Sequence, residues 1–272
     1  MQNGSAKNTA RAAQLGTGNK SLQTQSSSAA SGVGNNAKVD QGTGQVTSTL
    51  VTDIYFGGLQ PVDDVTSGGG FNSGSTAGIA VQDQTGENNS AFIGQFGSAD
   101  VDSNYAEQNQ GGKDNEALTV QNAFGYRSGA NYSRQDQTGE GNLAGVSQIG
   151  GYNRAYQRQH DANNIALTTQ RGYNHVVNTY QDGDANVATT AQRGDQNTIL
   201  LVQRGGHSYS AEQNVQEALD NENGYNVIDV LQLGPNGDFA HDGIECEFED
   251  PKSATMDFDI QEFDIANPCD DC

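Results

Sequence analysis

Residues 137–203 decide the fold of this chain, and they read QTGEGNLAGVSQIGGYNRAYQRQHDANNIALTTQRGYNHVVNTYQDGDANVATTAQRGDQNTILLVQ. Glutamine recurs in this stretch every 11 residues without a break, at Gln137, Gln148, Gln159, Gln170, Gln181, Gln192 and Gln203. A fixed period over many units indicates a repeat architecture, in which each unit buries its inner face only by stacking on its neighbours. The stretch therefore predicts a solenoid.

The units that begin at these glutamines follow the pattern Q-x-G-x-x-N-x-A-x-x-x-Q with substitutions in some copies, such as Ile199 at the alanine position, and further copies lie upstream and downstream of the central run. The polar residues that we expect to stack are Gln84, Asn89, Gln95, Gln110, Asn115, Gln121, Gln137, Asn142, Gln148, Asn153, Gln159, Asn164, Gln170, Gln181, Asn186, Gln192, Asn197, Gln203, Asn226 and Gln232. The glycines that we expect in the turns are Gly86, Gly112, Gly139, Gly150, Gly172, Gly183 and Gly194. Weaker copies at residues 14–41 and 226–232 extend the pattern over most of the chain.

The spacing within the unit predicts β-strands. The asparagine, the alanine, the residue two positions later and the next glutamine lie at offsets 5, 7, 9 and 11. These offsets share one parity, so the four side chains point to one face of an extended strand. The glycine at offset 2 permits positive φ in a tight arc. Each unit is thus a strand and an arc, and two units make a coil of 22 residues.

A helical interpretation is less consistent with the residue types. A period of 11 residues also occurs in right-handed helical supercoils. However, a glycine two residues after most of the glutamines, with threonine, valine, asparagine and tyrosine between, is unfavourable in long helices and common in strands and arcs. The expected fold class is all-β, a β-solenoid of stacked strand–turn–strand coils followed by a non-repeat acidic tail.

Irregular spacings indicate where extra residues are inserted. Gln95 and Gln110 are 15 residues apart, and the interval from Gln203 to Gln232 holds about seven extra residues, which we place around residues 205–212. Solenoids absorb such insertions as longer arcs. The expected segments are 1–41 with degenerate repeats, 42–72 as a non-repeat insertion, 73–238 as the solenoid and 239–272 as the tail. The insertion at 42–72 is open to three interpretations: a strand pair, a lid or a disordered loop.

The composition is acidic and poor in apolar residues. The 272 residues include 34 Asp and Glu against 13 Lys and Arg, a formal net charge of -21, and only 33% are hydrophobic. Such a composition alone favours disorder, but the 27 glutamines can be buried if their amides stack in ladders. The basic residues are dispersed along the chain, so they indicate no positively charged surface that would bind the phosphates of nucleic acid. No run of about 18 apolar residues could cross a bilayer as a helix.

The repeat unit resembles the curlin repeat of bacterial curli subunits, over roughly residues 80–234 and more weakly over residues 14–41. The resemblance implies a β-solenoid that polymerises end to end into an extracellular functional amyloid at the cell surface. It also implies export through an outer-membrane machinery and a partner subunit that nucleates the fibre. We expect the chain to be the mature form of a secreted precursor. It departs from the family in having more units, irregular arcs and a foreign C-terminal segment.

The function expected on these grounds is self-assembly into a fibre that serves biofilm matrix and adhesion. Stacked coils would leave unpaired strand edges at both ends, and a second copy could add to them head to tail. The alternative is a monomeric solenoid that binds ice or carbohydrate through ranks of threonine. Thr168, Thr169, Thr179, Thr189 and Thr190 motivate this alternative, although they form no regular TxT column.

Catalysis, a metal site and a cofactor are not expected. His160, His175, His207 and His241 form no constellation of base and acid, and solvated surface or arc positions account best for all four. The loops at residues 182–186 and 111–115 contain several oxygen donors. Calcium takes six to eight oxygen ligands, and neither loop matches the calcium-binding β-roll nonapeptide.

The C-terminal tail differs from the rest of the chain. Residues 239–272 hold 11 acidic residues and a single basic residue, Lys252. This charge is typical of a solvated tail. Acidic and apolar residues also alternate, which is the pattern of a strand that could cap the solenoid or dock to it. All three cysteines, Cys246, Cys269 and Cys272, lie there. In an extracellular protein a disulfide between two of them is the natural expectation.

Overall fold

The computed structural model describes residues 2–4, 7–27, 33–43, 75–97, 104–122, 131–214 and 226–233. Within these ranges the secondary structure is entirely β, as the repeat period predicted. No helix in the described part of the chain is long and apolar enough to cross a membrane. The expected tail at residues 239–272, with its cysteines, and most of the 42–72 insertion lie outside the described residues.

Nineteen strands follow one another along the described residues. Their bounds are β1 Gln2–Gly4, β2 Lys7–Gln14, β3 Gly16–Thr17, β4 Lys20–Ser27, β5 Val33–Gln41, β6 Ser75–Thr76, β7 Ile79–Glu87, β8 Ser90–Phe96, β9 Tyr105–Lys113, β10 Glu116–Asn122, β11 Tyr132–Glu140, β12 Leu143–Gly151, β13 Arg154–Ala162, β14 Ile165–Tyr173, β15 Val176–Asp182, β16 Val187–Asp195, β17 Thr198–Arg204, β18 Ser208–Asn214 and β19 Val227–Leu233.

Successive long strands alternate between two sheets. Sheet A has the order β1-β4-β7-β9-β11-β13-β15-β17-β19, and sheet B has the order β18-β16-β14-β12-β10-β8-β5-β2. The strand pairings within both sheets are parallel, so each coil contributes one strand to each sheet and the next coil stacks directly on it. This is a β-solenoid, and the prediction of fold class is confirmed. The short β3 and β6 pair separately.

The glutamine positions keep one register across the connections between coils, although β2 and β5 shift by one residue at their start, between Lys7 and Thr9. Gln137, Gln159 and Gln181 align across β11, β13 and β15 at intervals of 22 residues. Gln25 aligns in the same way with Gln84, although 59 residues separate them. Insertions lengthen the connections between strands and leave the stacked positions unchanged, because a slip of one residue would turn every inner side chain outward.

The position predicted for the last insertion was wrong. Residues 208–214 form β18, which pairs with β16 and places Gln213 beside Gln192. The interval from Gln192 to Gln213 is 21 residues, so residues 205–212 hold no extra residues. Gln203 and Gln213 are only ten apart in sequence, and this shortened unit concealed the strand. The extra residues lie between β18 and β19.

The N-terminal strands belong to the same two sheets. β4 pairs with β7 in sheet A, and β5 pairs with β8 in sheet B. The weak copies of the repeat at residues 14–41 therefore form coils like the strong ones.

The interior follows the parity of the repeat. Alanines at offset 7 are buried, and so are the residues at offset 9, including Ile93, Val146 and Leu201. A further apolar cluster of Phe92, Phe96, Leu118 and Val120 occupies alternate positions of β8 and β10. By parity these side chains point away from the coil interior, and the unit pattern did not predict this cluster.

Two residues with positive φ shape each regular arc. The first is the glycine at offset 2, with φ of +107° at Gly112 and +109° at Gly150. The second lies at offset 4, immediately before the stacked asparagine, as at Asn88, Asp114 and Asn163. Sequence reasoning recognised the first position and missed the second, because asparagine, aspartate and other residues fill it in place of a constant glycine.

The adjacent Gly111 and Gly112 offer a matched test of the arc. A Cβ on Gly112 would lie 2.1 Å from the backbone oxygen of Gly139 in the next coil, whereas a Cβ on Gly111 would meet nothing closer than 3.9 Å. We expect Gly112→Ala to lower the free energy of unfolding by about 2 kcal/mol or more, through strained φ and backbone overlap. Gly111→Ala should change it by less than about 0.5 kcal/mol. Equal losses in chemical denaturation would contradict this account of the arc.

Candidate functional site

The two principal glutamine columns form continuous hydrogen-bonded ladders along the solenoid axis. Ladder A, in sheet A, consists of Gln25, Gln84, Gln110, Gln137, Gln159, Gln181, Gln203 and Gln232, joined at 2.7–2.9 Å. Ladder B, in sheet B, consists of Gln14, Gln41, Gln95, Gln121, Gln148, Gln170, Gln192 and Gln213, joined at 2.6–3.0 Å. In every step Nε2 donates to Oε1 of the glutamine in the next coil.

In the ladder residues other than Gln14, the amide nitrogen also donates to a backbone oxygen of the opposite sheet or its flanking arc. Gln148 Nε2 donates to the backbone oxygen of Tyr132 at 2.8 Å, and Gln137 Nε2 donates to that of Glu116 at 2.9 Å. A backbone carbonyl can only accept, so this bond identifies the nitrogen of each amide. The ladders thus have a defined direction, from the first coil to the last. Both donors of these buried amides are satisfied, which offsets the cost of removing them from water.

Asparagines in the arcs between sheets form two further ladders. One comprises Asn35, Asn89, Asn115, Asn142, Asn164 and Asn186, and the other comprises Asn104, Asn131 and Asn153, with Asn197 further along. Here the backbone N–H of each residue donates to the side chain of the preceding coil, as from Asn164 to Asn142 Oδ1 at 2.9 Å. The asparagines therefore run in the opposite sense to the glutamines and fix the arcs in register.

Sequence reasoning missed a third glutamine ladder. Gln23, Gln82, Gln108, Gln135 and Gln157 stack in sheet A with amide bonds of 2.9 Å at each step. Each lies two residues before a ladder A glutamine, so a Q-x-Q pair recurs in five successive strands. That pair was a visible signal. Beyond Gln157 the column continues with Thr179 and Leu201, and the ladder ends.

His175 lies in an arc, one of the two kinds of position predicted for the histidines, but the expectation that it is solvated was wrong. His175 is fully buried and occupies an asparagine position in the second arc ladder. Its backbone N–H donates to Asn153 Oδ1 at 3.2 Å, and its Nδ1 accepts from the backbone N–H of Asn197 at 3.2 Å. The neutral imidazole of His175 thus accepts the hydrogen bond that an asparagine Oδ1 accepts elsewhere in this ladder. Burial lowers the pKa of His175 to about 4, although backbone carbonyls and Asp195 partly oppose this shift.

The other described histidines differ from His175. His207 is half-buried at the arc position after Asn186 and donates its backbone N–H to Asn186 Oδ1 at 3.0 Å. His160 is exposed, and its Nδ1 lies 3.5 Å from a carboxylate oxygen of Asp161 and 3.8 Å from one of Asp182. These three residues form a small surface group of metal-ligating atoms. His241 lies outside the described residues.

The two loops considered for calcium are ordinary arcs of the solenoid. In residues 182–186, the Asn186 side chain donates to the backbone oxygens of Asp182 and Gly183 at 2.9 and 3.2 Å. In residues 111–115, Asn115 donates to the backbone oxygens of Gly111 and Gly139 at 3.1 and 3.0 Å. The asparagine amides therefore use the carbonyl oxygens of these loops to close the turn.

Charged and aromatic side chains line the outer face of sheet A. Tyr105 and Tyr132 stack with ring centroids 5.2 Å apart, and Arg134 lies 5.9 Å from the ring centre of Tyr156. Arg134 also approaches Asp136 at 3.0 Å. Burial raises the pKa of Tyr132 and Tyr156, so both phenols stay neutral. Oppositely charged groups and aromatic rings are therefore stacked on the outer face of sheet A, where water solvates the charges and neighbouring rings stabilise them.

Gln148 tests the energetic role of ladder B. Leucine at this position leaves Gln121 Nε2 without its acceptor and removes the donor to Tyr132 and Gln170. Because unsatisfied buried groups cost about 1–3 kcal/mol each, Gln148→Leu should lower the free energy of unfolding by at least about 2 kcal/mol. Gln14→Leu is the matched control at the exposed end of the same ladder, and its effect should be well under half as large. Similar losses for both in denaturant titrations would exclude the ladder as the source.

His175 makes a pH-dependent prediction. The unfolded histidine binds a proton below its ordinary pKa of 6.5, while the folded one resists protonation down to about 4. The unfolded state therefore holds more protons in this window, and stability falls as the pH drops through it, by about 3 kcal/mol in full. His175→Asn restores the amide and should remove this component from unfolding curves measured between pH 7 and pH 4.

Carboxylates titrate equally in both proteins and cancel when the two unfolding curves are subtracted. His160→Asn, at an exposed histidine outside the arc ladders, is the matched substitution control, and its unfolding curves should still show the loss of stability that the His175 imidazole causes. Parallel pH profiles for His175→Asn and the unchanged chain would contradict a role of the neutral imidazole.

Comparisons with known proteins return no match. No family model, curated protein or solved structure matches the chain. The assignment of the solenoid therefore rests on the strand pairing and the ladders themselves.

Proposed function

We propose that this protein is a self-assembling structural subunit of an extracellular, curli-like amyloid fibre, and that it polymerises head to tail through the ends of its solenoid. The observation that supports this most is the state of the sheet ends. β2 and β18 terminate sheet B, and β1 and β19 terminate sheet A, so each of these strands has one neighbouring strand among the described residues. Such edges are templates for strand addition.

The first coil leaves its inner columns open. Ala10 and Ala12 of β2 are exposed, whereas Ala37 and Val39, which align with them in β5, are fully buried. The four residues face the same columns, so only the lack of a preceding coil accounts for the difference. A second copy that stacks on β2 would bury these alanines and continue the columns, and contacts that do not close on themselves yield an open filament.

The wider biological setting follows from the resemblance to curlin repeats. In this proposal the principal partner is another copy of the chain, with a nucleating subunit and an outer-membrane export machinery as further partners. The fibre would serve biofilm matrix and adhesion outside the cell. The neutral glutamine interior supports this role, since amide ladders are a recurrent device of stable cross-β assemblies.

The threonines that motivated a monomeric binding module do not favour it. Thr168, Thr179 and Thr190 are buried, and Thr168 and Thr190 share a hydrogen bond between their hydroxyls at 3.0 Å. They belong to the interior and are not available as a flat binding face. Thr169 and Thr189 stand at different positions of their strands, so they do not align into one column.

Purified protein should form fibres after a lag phase, with thioflavin binding and a cross-β reflection near about 4.8 Å. Ala12→Lys is the matched control, because its side chain is free in the monomer but would place a charge in a dry column of the fibre. We expect this variant to fold normally and to remain monomeric in electron micrographs and sedimentation. If the unsubstituted chain stays monomeric at all concentrations, the proposal is excluded.

A further inference from the structure

We infer that His160, Asp161 and Asp182 form a binding site for a divalent metal ion such as Zn²⁺ or Cu²⁺ on one arc edge of the solenoid. His160 Nδ1 lies 3.5 Å from Asp161 Oδ1 and 3.8 Å from Asp182 Oδ1. The three ligand atoms all lie within 4.8 Å of one another. An imidazole nitrogen together with carboxylate oxygens is a donor set that such ions bind in proteins. All three residues belong to one chain, so the site does not depend on the proposed self-assembly.

The stacking of coils brings these residues together. Gln159 of β13 pairs with Gln181 of β15, so the residues that follow them, His160 and Asp182, lie above one another in neighbouring coils. Asp161 is the next residue of the arc. His160 and Asp182 are 22 residues apart in the sequence, and no short ligand motif links them, which is why the sequence pattern predicts no metal site. The site exists only when the two coils are stacked.

The distances between the ligand atoms suit a tetrahedral ion. A metal about 2.1 Å from each of two ligands holds them about 3.4 Å apart at the tetrahedral angle. His160 Nδ1 and Asp161 Oδ1 have nearly this separation, and the Asp182 oxygen needs to move by less than about 0.5 Å. The side chains of His160, Asp161 and Asp182 are 50%, 52% and 36% exposed. An ion can therefore reach them from solvent, and water can fill the fourth position.

Asp161 stands at an arc position that glycine occupies in the coils around it. Gly139 pairs with Asp161 in the preceding coil, and Gly112 and Gly183 lie at the same offset in other arcs of this edge. Asp161 has the same left-handed backbone, with φ of +70°. Glycine adopts this conformation at a lower cost than a residue with a side chain. The shape of the arc therefore gives no reason for a carboxylate here, whereas a metal site does.

The two carboxylate oxygens of Asp182 have different neighbours. Oδ2 lies 3.9 Å from Arg204 Nε, and Oδ1 lies on the side of His160 Nδ1. The guanidinium of Arg204 thus leaves Oδ1 for a metal ion. Partners of this kind orient a ligating carboxylate and add to metal affinity.

Two further carboxylates flank the site. Glu140 lies opposite Ala162 in the preceding coil, and Asp184 Oδ1 accepts the backbone N–H of Ala162 at 3.0 Å. Together with the two ligand aspartates they carry four negative charges. Among the described residues, the lysine and arginine side chains that form ion pairs with these four carboxylates are Lys113 and Arg204. The formal excess of two negative charges equals the charge of one divalent cation and attracts it to this edge.

The donor set discriminates between metals. Ca²⁺ takes six to eight oxygen ligands, and Mg²⁺ also prefers oxygen. A site with one imidazole nitrogen and two carboxylates instead suits Zn²⁺, and Cu²⁺ should bind at least as tightly.

Zinc titration tests the site in a full-length chain from which other strong ligands have been removed by Cys246→Ser, Cys269→Ser, Cys272→Ser and His241→Asn. Calorimetry should show one equivalent of bound Zn²⁺. At a free Zn²⁺ concentration about 100 times the dissociation constant, the midpoint of thermal unfolding should rise by about 5 °C or more, because the ion binds the stacked coils and not the unfolded chain. The same concentration of Ca²⁺ should leave the midpoint unchanged.

Two substitutions in this chain remove ligands and keep the fold. Asp161→Gly installs the residue that the neighbouring arcs contain, so the metal-free protein should be at least as stable while Zn²⁺ binds at least about tenfold more weakly. His160→Asn should weaken binding by a similar factor. It should also remove the coupling to an imidazole nitrogen from the electron paramagnetic resonance spectrum of bound Cu²⁺. His207→Asn, at an arc histidine outside the group, is the matched control and should keep the full affinity.

A Zn²⁺ affinity that neither Asp161→Gly nor His160→Asn changes would overturn the inference. A chain that binds no Zn²⁺ at millimolar concentration would do the same. An equal response to Ca²⁺ would also reject it, since it would indicate general screening of negative charge. None of these results would bear on the proposed self-assembly, because stacking of copies needs no ion at this edge.

Discussion

The hydrogen bond between stacked glutamine amides is the interaction on which the rest of this structure depends. Such a bond forms at every step only if identical side chains lie one coil apart, because each amide must find a donor on one side and an acceptor on the other. That requirement fixes the parallel pairing and the common register of both sheets. It also explains why insertions occur in the connections, since an extra residue within a strand would reverse every inner side chain.

The ladders explain how a chain of this composition folds. Only 33% of the residues are hydrophobic and the net charge is -21, which would ordinarily leave too little apolar surface to offset chain entropy. Here the interior is polar but neutral, with small alanines between satisfied amides. Charged side chains lie on outer faces and arcs, where pairs such as Arg134 and Asp136 stack side by side. The acidic side chains therefore lie outside the inner columns of stacked amides and alanines that stabilise the fold.

The same bond links the fold to the proposed assembly. Ladder B has a direction, and among the described residues its first side chain, Gln14, and its last, Gln213, each have a ladder neighbour on one side only. Globular proteins usually blunt such strand edges with charge, proline or a covering element. In this chain the first coil instead exposes Ala10 and Ala12, which occupy the columns that are buried in the next coil. Growth by addition of copies is the continuation of the process by which coils stack within one copy.

Periodicity alone determined the fold class, the inner face of each strand and the glycine that begins each arc, because these depend on spacing and residue type within one unit. The tertiary structure decided what depends on contacts between units. It placed the third ladder at Gln82, Gln108 and Gln135, and it buried His175 as an acceptor between Asn153 and Asn197. It also revealed β18 in a shortened unit and gave the ladders their direction. A sequence period specifies which residues stack, but the hydrogen-bond partner of each amide is defined only when the neighbouring coil is in place.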